Sequence, residues 1–349
     1  MNFIDLYAGI GGIRIAFETH GGRCVFSSEW DKYAQMTYNA FHGEYPFGDI
    51  HDINDIDAQI PDHDILTAGF PCQPFSLAGV SKKNSLGRLH GFEDLTQGTE
   101  FFKVKEILKA KQPAAFLLEN VKNLKSHDKG NTFKIICESL KEVGYDFDLK
   151  IIDASNWVPQ HRERIYFIGF RKDLGVKLEA IKAIFPERPM KRIYELDDII
   201  FSDEEVLENF GDKYSVRPGT WNALKRHKSN HEKKGNGFGY NLITRPFDKK
   251  ITRTMSARYY KDGAEILIEQ KEKLPRKITP LEACKLQGFP KHCYKFFNGK
   301  TEQPVSDAQV YKQFGNSVAV PVVSAIAKNL ISFMGENNLL VNSKILNEI

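Results

Sequence analysis

Over its first ~170 residues the chain alternates short apolar runs with stretches of helical spacing, an order that a doubly wound α/β sheet requires. The predicted strands are residues 3–7, 24–28, 65–68, 116–119, 148–153 and 165–170. Helical spacing fills 12–19, 32–41, 99–110 and 132–143 between them. At 349 residues the chain is long enough for one large core and a smaller lobe. The pattern then changes. Residues 195–212 hold eight acids and no Lys or Arg, which reads as a solvated helix or as a boundary segment. A basic stretch rich in glycine and aromatics follows, with Gly235-Asn-Gly-Phe-Gly-Tyr240 and Arg258-Tyr-Tyr-Lys-Asp-Gly263. Order returns at Thr279-Pro-Leu-Glu-Ala-Cys-Lys-Leu286, where Thr, Pro and a Glu three positions on predict a capped helix start. A last apolar helix, about 320–334, has no partner nearby in sequence and is expected to pack back on the large domain.

Charge is distributed unevenly. Residues 213–261 carry 13 Lys or Arg against two acids, Glu232 and Asp248, an excess of +11. With a total of +4, the rest of the chain therefore carries −7. A mildly acidic body with one basic segment suits a polyanion held at one place, and equally a solvated charged face. The five cysteines, Cys24, Cys72, Cys137, Cys284 and Cys293, are odd in number and include no Cys-x-x-Cys pair. This argues against a zinc ribbon or a disulfide framework, calls for no metal, and fits a reducing cytoplasm. The first residues lack the charged and apolar regions of a signal peptide, and no apolar run is long enough to span a membrane.

Several segments carry chemistry. Asp5-Leu-Tyr-Ala-Gly-Ile-Gly-Gly12 puts a glycine cluster between a strand and a helix, where the backbone can approach a ligand closely. Nicotinamide, flavin and S-adenosylmethionine sites all use such a turn, as do purely structural ones. The second strand ends in Glu29-Trp30, an acid suited to a ribose diol beside an aromatic suited to a purine. Asp49-Ile50 follows, with a carboxylate able to accept from an amino group. In Ala68-Gly-Phe-Pro-Cys-Gln-Pro-Phe-Ser76 two prolines bracket Cys72 just past a strand. A lone cysteine is usually a small core hydrophobe, but the prolines fix this one at the ligand edge of the sheet. Leu117-Leu-Glu-Asn-Val121 ends a strand in a carboxylate, either a simple cap or an acid–base group for a heterocycle. In Gln160-His-Arg-Glu-Arg164, residues 160, 162 and 164 would alternate onto one strand face. The two guanidiniums suit phosphate or carbonyl oxygens, or a structural salt-bridge cluster.

Together with Arg276-x-x-Thr-x-x-Glu-x-x-x-Leu-Gln-Gly-Phe-Pro290 and Gln313-Phe-Gly-Asn-Ser-Val318, these motifs occur in the order found in bacterial DNA cytosine-5 methyltransferases. The resemblance runs from residue 3 to 321. It implies a doubly wound, Rossmann-like α/β domain that binds S-adenosyl-L-methionine, joined to a smaller DNA target-recognition domain. The corresponding division is 1–175 for catalysis and cofactor, 176–275 for target recognition, and 276–349 returning to the catalytic domain. By the same resemblance Tyr7, Ala8, Gly9, Ile10, Gly11, Gly12, Glu29, Trp30, Asp49, Ile50 and Gly69 would hold the cofactor. Asn316, Ser317 and Val318 would close that site from the far end of the chain. Cys72 would attack C6 of a cytosine, Glu119 would contact N3 and the exocyclic amine, Arg164 would hold the carbonyl, and Arg162 would support the site. The chemistry accounts for these residue types: thiolate addition at C6 makes C5 an enamine carbon able to accept a methyl group. A cytosine inside a duplex must first be flipped out.

Residues 77–98, with Lys82, Lys83 and Arg88, read as a mobile loop that closes over the base and touches phosphates. Glu100 departs from the family, where many members carry Leu against the adenine; either its side chain points away or the pocket is more polar. The central segment is similar to the recognition region of Dcm-type enzymes, which implies CCWGG or CCNGG with the inner cytosine methylated, and CCGG as the next candidate. Arg245, Arg253, Arg258 and Lys261 are candidates for pairing with guanines in the major groove. The expected setting is a monomer in the bacterial cytoplasm, nucleoid-associated, acting on double-stranded DNA, with a possible cognate restriction endonuclease. A DNA-binding regulator with a lapsed catalytic domain and an RNA methyltransferase are the alternatives. A nicotinamide enzyme would need neither the Pro-Cys pair nor the basic lobe.

Overall fold

The computed structural model describes residues 1–71 and 100–339. Its centre is a six-stranded sheet of β1 (Asn2–Leu6), β2 (Arg23–Ser28), β3 (Ile65–Ala68), β4 (Ala115–Val121), β5 (Tyr145–Asp153) and β6 (Glu163–Arg171). The spatial order is β2-β1-β3-β4-β6-β5, with β1 to β4 parallel and β6 antiparallel to both neighbours. All six expected strands are present, and the four expected helices appear as Gly12–Glu18, Lys32–His42, Glu100–Lys111 and Asn131–Glu142.

Period-two alternation sorts the apolar strand residues onto two faces. Phe3, Ile65, Leu117 and Ile168 join the core that holds Gly12–Glu18 and the last helix, Val320–Glu336. Ile4, Leu66, Phe116 and Phe167 join the other core, under Glu100–Lys111 and Asn131–Glu142. The last helix lies against Gly12–Glu18, as its apolar face without a local partner required. Helix Leu178–Ile184 also packs against β5, so the sheet's cover extends past residue 175.

One expectation needs correction. Gln160 and Arg162 do not belong to a strand with Arg164, because the ladder begins at Glu163. Asp153 caps the preceding turn and accepts the Arg162 N–H at 2.9 Å, while Gln160 bridges instead to Thr252.

The acidic segment forms two short helices, Leu196–Ile199 and Asp203–Phe210, each opened by a capping box. Beyond it β7 (Leu242–Ile243), β8 (Leu267–Gln270) and β9 (Lys273–Lys277) make a small second sheet, β7 parallel and β9 antiparallel to β8. Helix Pro218–Lys233 rests on this lobe through Leu224, which meets Val216 and Leu267. The expected cap at Thr279 is present, and the Arg276-x-x-Thr-x-x-Glu motif acquires a structural meaning. Arg276 and Glu282 are fully buried and paired through two bonds of 2.8 Å, while Glu282 also accepts the Phe201 and Thr279 N–H groups. These bonds offset the cost of burying the pair, which joins the acidic segment, β9 and helix Pro280–Leu286. Among the described residues, no single helix is long and apolar enough to cross a membrane.

Candidate active site

Because β1 to β4 are parallel, their C-terminal ends open on one edge, where ligands bind in such sheets. The antiparallel β6 starts at that same edge, bringing Arg164 to it. The cleft there has a volume of about 390 Å³ and gathers widely separated parts of the chain. Its lining includes Tyr7, Ala8, Gly9, Ile10 and Gly12 after β1, Glu29 and Trp30 after β2, and Gly69, Phe70 and Pro71 after β3. Glu119 and Asn120 come from β4, Arg164 from β6, and Asn316, Ser317 and Val318 from the C-terminal segment.

The turn after β1 depends on a left-handed backbone at Tyr7, Gly9 and Gly11, with φ of 56°, 58° and 80°. Gly9 and Gly11 tolerate this without cost, whereas Tyr7 is strained there and is held by its hydroxyl, which donates to the Glu100 carbonyl at 2.8 Å. A Cβ at Gly12 would meet Val318 Cγ2 at 3.0 Å and Ser317 Oγ at 3.1 Å, so this glycine lets the C-terminal segment close on the turn. The Glu29 carboxylate accepts the Gly9 N–H at 2.9 Å and the Asp31 N–H at 2.7 Å. Burial nevertheless raises its pKa, the two N–H groups opposing that rise. Beside it Trp30 is 71% exposed, an indole face left open at the cleft.

Three expected cofactor residues, Gly11, Asp49 and Ile50, are not among those lining the cleft. Gly11 supplies the turn, Ile50 is buried, and Asp49 accepts the His51 N–H at 2.9 Å. Glu100 points its carboxylate at His51, 3.1 Å from Nε2, so this position holds a polar, hydrogen-bonded group.

On the opposite wall Arg164 Nε lies 3.1 Å from Glu119 Oε1. Burial raises the Glu119 pKa, and the charges of Arg164 and then Arg162 oppose the rise. The affinity of this carboxyl for a proton is thus set by burial against the two guanidinium charges, and it responds to any charge brought near it. Its neighbour Asn120 acts on the backbone instead. Asn120 Nδ2 donates to the Phe70 carbonyl at 2.8 Å and its Oδ1 accepts the Val121 N–H, fixing the Gly69–Pro71 turn to β4. Cys72 follows that turn directly, but it lies outside the described residues, as do Lys82, Lys83, Arg88 and all of 77–98. Each of the other four cysteines is held as a thiol by burial, with the pKa of Cys24 and Cys293 pushed up to about 12.

Arg162 does not reach the cleft. It is buried, and its Nη2 donates to the carbonyls of Gly315 (2.9 Å) and Ser317, while Nη1 donates to that of Met255 at 3.3 Å. It thereby ties the sheet edge to both the second lobe and the segment that closes the cleft. Sequence reading missed the pairs that finish this closure. Lys312 Nζ donates to Asp31 at 2.7 Å, and Gln313 donates to the Tyr33 carbonyl and accepts from Thr37. Their only sequence signal was that Gln313 heads the Gln-Phe-Gly-Asn-Ser-Val run.

The basic candidates fall into two groups. Arg245 donates to the Phe201 carbonyl and Arg253 to that of Gly239, so both help to build the lobe. Arg258 and Lys261 are exposed, and their side chains bond to none of the described residues.

A parallel sheet with an antiparallel sixth strand, a glycine turn after β1 and a ligand cleft at the strand ends defines an α/β methyltransferase. In fold the structure matches the Dnmt2 methyltransferase of S. pombe, with a TM-score of 0.71 at 20% identity over 96% of this chain and 98% of that one. The chain belongs to the C-5 cytosine-specific DNA methylases, whose family model matches residues 1–332, and it is accordingly a DNA cytosine-5 methyltransferase. It is 47% identical to the DNA-cytosine methyltransferase of Escherichia coli K12 over 376 aligned residues, covering 94% of this chain and 77% of the relative. It is 50% identical to the Type II methyltransferase M.SsoII of Shigella sonnei, covering 94% and 79%. With M.HpaII of Haemophilus parainfluenzae the identity is 43%, covering 95% and 90%.

Proposed function

We propose that the chain methylates the inner cytosine of CCWGG or CCNGG in duplex DNA, using S-adenosyl-L-methionine and Cys72 as nucleophile. The supporting observation is the single cleft that joins the glycine turn, Glu29 and Trp30 to the Glu119–Arg164 pair. One wall suits a nucleoside, the other a polar heterocycle.

The cofactor fits what lines the first wall. Glu29 is anchored by two backbone N–H groups and faces the cleft, as recognition of a ribose diol needs. The exposed Trp30 offers its ring to a purine, and Asn316, Ser317 and Val318 close over the turn. When bound, S-adenosylmethionine supplies an activated methyl group. The chain's own residues prepare the acceptor carbon. The Cys72 thiolate adds to C6 of the flipped cytosine, and the electron pair moves toward N3 and C5. Glu119 faces N3 and passes a proton to it as charge develops there. Arg164, already beside Glu119, holds the base carbonyl, and Arg162 positions the surrounding segments. After methyl transfer, loss of the C5 proton expels Cys72.

Target choice is assigned to residues 176–275, between a catalytic part at 1–175 and a returning part at 276–349. Arg258 and Lys261, free of internal partners among the described residues, are the favoured base readers, ahead of Arg245 and Arg253. Lys82, Lys83 and Arg88 are assigned to phosphate contacts. The chain works as a monomer in the cytoplasm, with a cognate restriction endonuclease as its natural counterpart.

Bisulfite sequencing of plasmid from cells expressing the protein reads both reaction and motif. Methylation confined to CCWGG or CCNGG is expected; protection at another motif would overturn the target assignment. Cys72→Ala should abolish methyl transfer and leave S-adenosylhomocysteine binding within about threefold of wild type. Retained activity in that variant would sink the nucleophile.

A further inference from the structure

The second lobe contains a feature that base reading does not use. Helix Pro218–Lys233 has 16 residues, of which only Leu224 is buried. It docks through one face: Trp221 lies 4.7 Å from the Tyr240 ring, Lys228 covers that same ring, and His231 stands beside Phe238. At about 100° per residue, Lys225, Asn222, Ser229, Lys233 and Arg226 fall within roughly 100° of arc on the outward side. All five are exposed. A helix this polar leaves that stripe in solvent.

The charges on this stripe are not neutralised internally. Elsewhere several basic side chains lie against carboxylates, as Arg14 does with Glu44, Lys105 with Glu142, Lys111 with Asp62 and Lys312 with Asp31. Among the described residues, neither Lys225, Arg226 nor Lys233 has a carboxylate partner, although Glu232 lies on the same helix and Lys225 Nζ stands 5.8 Å over the Trp221 ring. Lys225 and Lys233 stand eight residues apart, about 12 Å along the axis. That span suits two phosphates separated by a third on one duplex strand, and the amide of Asn222 and hydroxyl of Ser229 on the same stripe add donors of the kind phosphates accept.

We propose that this outward stripe is a clamp for the DNA backbone flanking the target, supplying affinity without reading sequence. The inference rests on the second lobe being the part that meets DNA, and it divides that lobe's labour. The helix holds phosphates, while specificity stays with other residues.

The test measures binding of a labelled 30-base-pair duplex across a potassium chloride series, with S-adenosylhomocysteine present. One duplex carries the site found by bisulfite sequencing and another carries a scrambled site. Each phosphate contact contributes about 0.9 to the slope of log affinity against log salt. Removing three contacts in Lys225→Ala/Arg226→Ala/Lys233→Ala should lower the slope by about 2.7. Between ~0.05 and ~0.2 M salt, wild type should then lose about 40-fold more affinity than the variant. The ratio of cognate to scrambled affinity should be unchanged. Alanine favours an exposed helix, so the fold is retained, and Lys225→Arg/Lys233→Arg should keep the wild-type slope. An unaltered slope in the triple variant would overturn the clamp, and a changed cognate-to-scrambled ratio would mean that the helix reads bases. If wild type methylated no duplex site, the parent reading would fail instead, whatever the slopes.

Discussion

Arg162→Ala should loosen the enzyme at a point that touches neither substrate. The side chain is buried and gives its donors to the carbonyls of Gly315, Ser317 and Met255, two of which belong to the segment closing the cofactor cleft. Truncation leaves these acceptors without a donor, at about 1–3 kcal/mol each. Relief of the buried guanidinium's desolvation, which already lowers the Arg162 pKa, offsets part of that sum. A net loss of about 3–5 kcal/mol follows, once part of the roughly 3–9 kcal/mol for three stranded carbonyls is offset. At roughly 2 °C per kcal/mol for a chain of this size, Tm should fall by about 6–10 °C. If about 2 kcal/mol of it appears as freedom of residues 315–317, S-adenosylhomocysteine should bind about 30-fold more weakly. Thermal melts and calorimetric titration of folded protein at low temperature measure the two effects separately. Arg162→Lys, one compact charge without the planar fork, should fall between the two. An alanine variant that binds the nucleoside as tightly as wild type would refute the idea that this arginine positions the cleft.

Two further substitutions probe the same architecture from other sides. A Cβ at Gly315 would lie 2.4 Å from the backbone carbon and oxygen of Ser256, so Gly315→Ala must push the second lobe away. It should destabilise by about 1–3 kcal/mol or more, and an unchanged urea midpoint would contradict the contact. Asp5 lies under the glycine turn with its pKa raised from 3.8 to about 7, chiefly by burial. A raised folded-state pKa means that the stability it brings is full below about pH 4 and is lost as pH climbs through about 7. The Tm of Asp5→Asn should therefore gain on wild type as pH rises across that window; a pH-independent difference between the two would show that Asp5 is already ionised.

Much of the catalytic half was legible because its signals are local. Strand residues buried on both faces leave short apolar runs, and a turn with three left-handed residues leaves glycines beside Tyr7. The caps at Thr279 and Ser202 are fixed by hydrogen bonds spanning three residues, and the first of these was read from spacing alone. The expectation that Gln160 and Arg162 share a strand face with Arg164 does not hold, because alternation says nothing of the turn capped by Asp153. Lys312 and Asp31 left no trace, since 281 positions separate partners that meet only when the chain returns.

Cys72 shows both sides of this division. The sequence determined that a cysteine between two prolines follows a strand, and that a carboxylate ends the next one; both facts are set by backbone restriction within a few residues. Only the tertiary structure decided that Glu119 is buried against Arg164, that Asn120 ties down the turn leading to Cys72, and that Arg162 faces the second lobe instead of the cleft. Those outcomes depend on which strands become neighbours and on how much water each group loses. Burial and pairing across the sheet are properties of the packed chain, and local sequence carries no record of them.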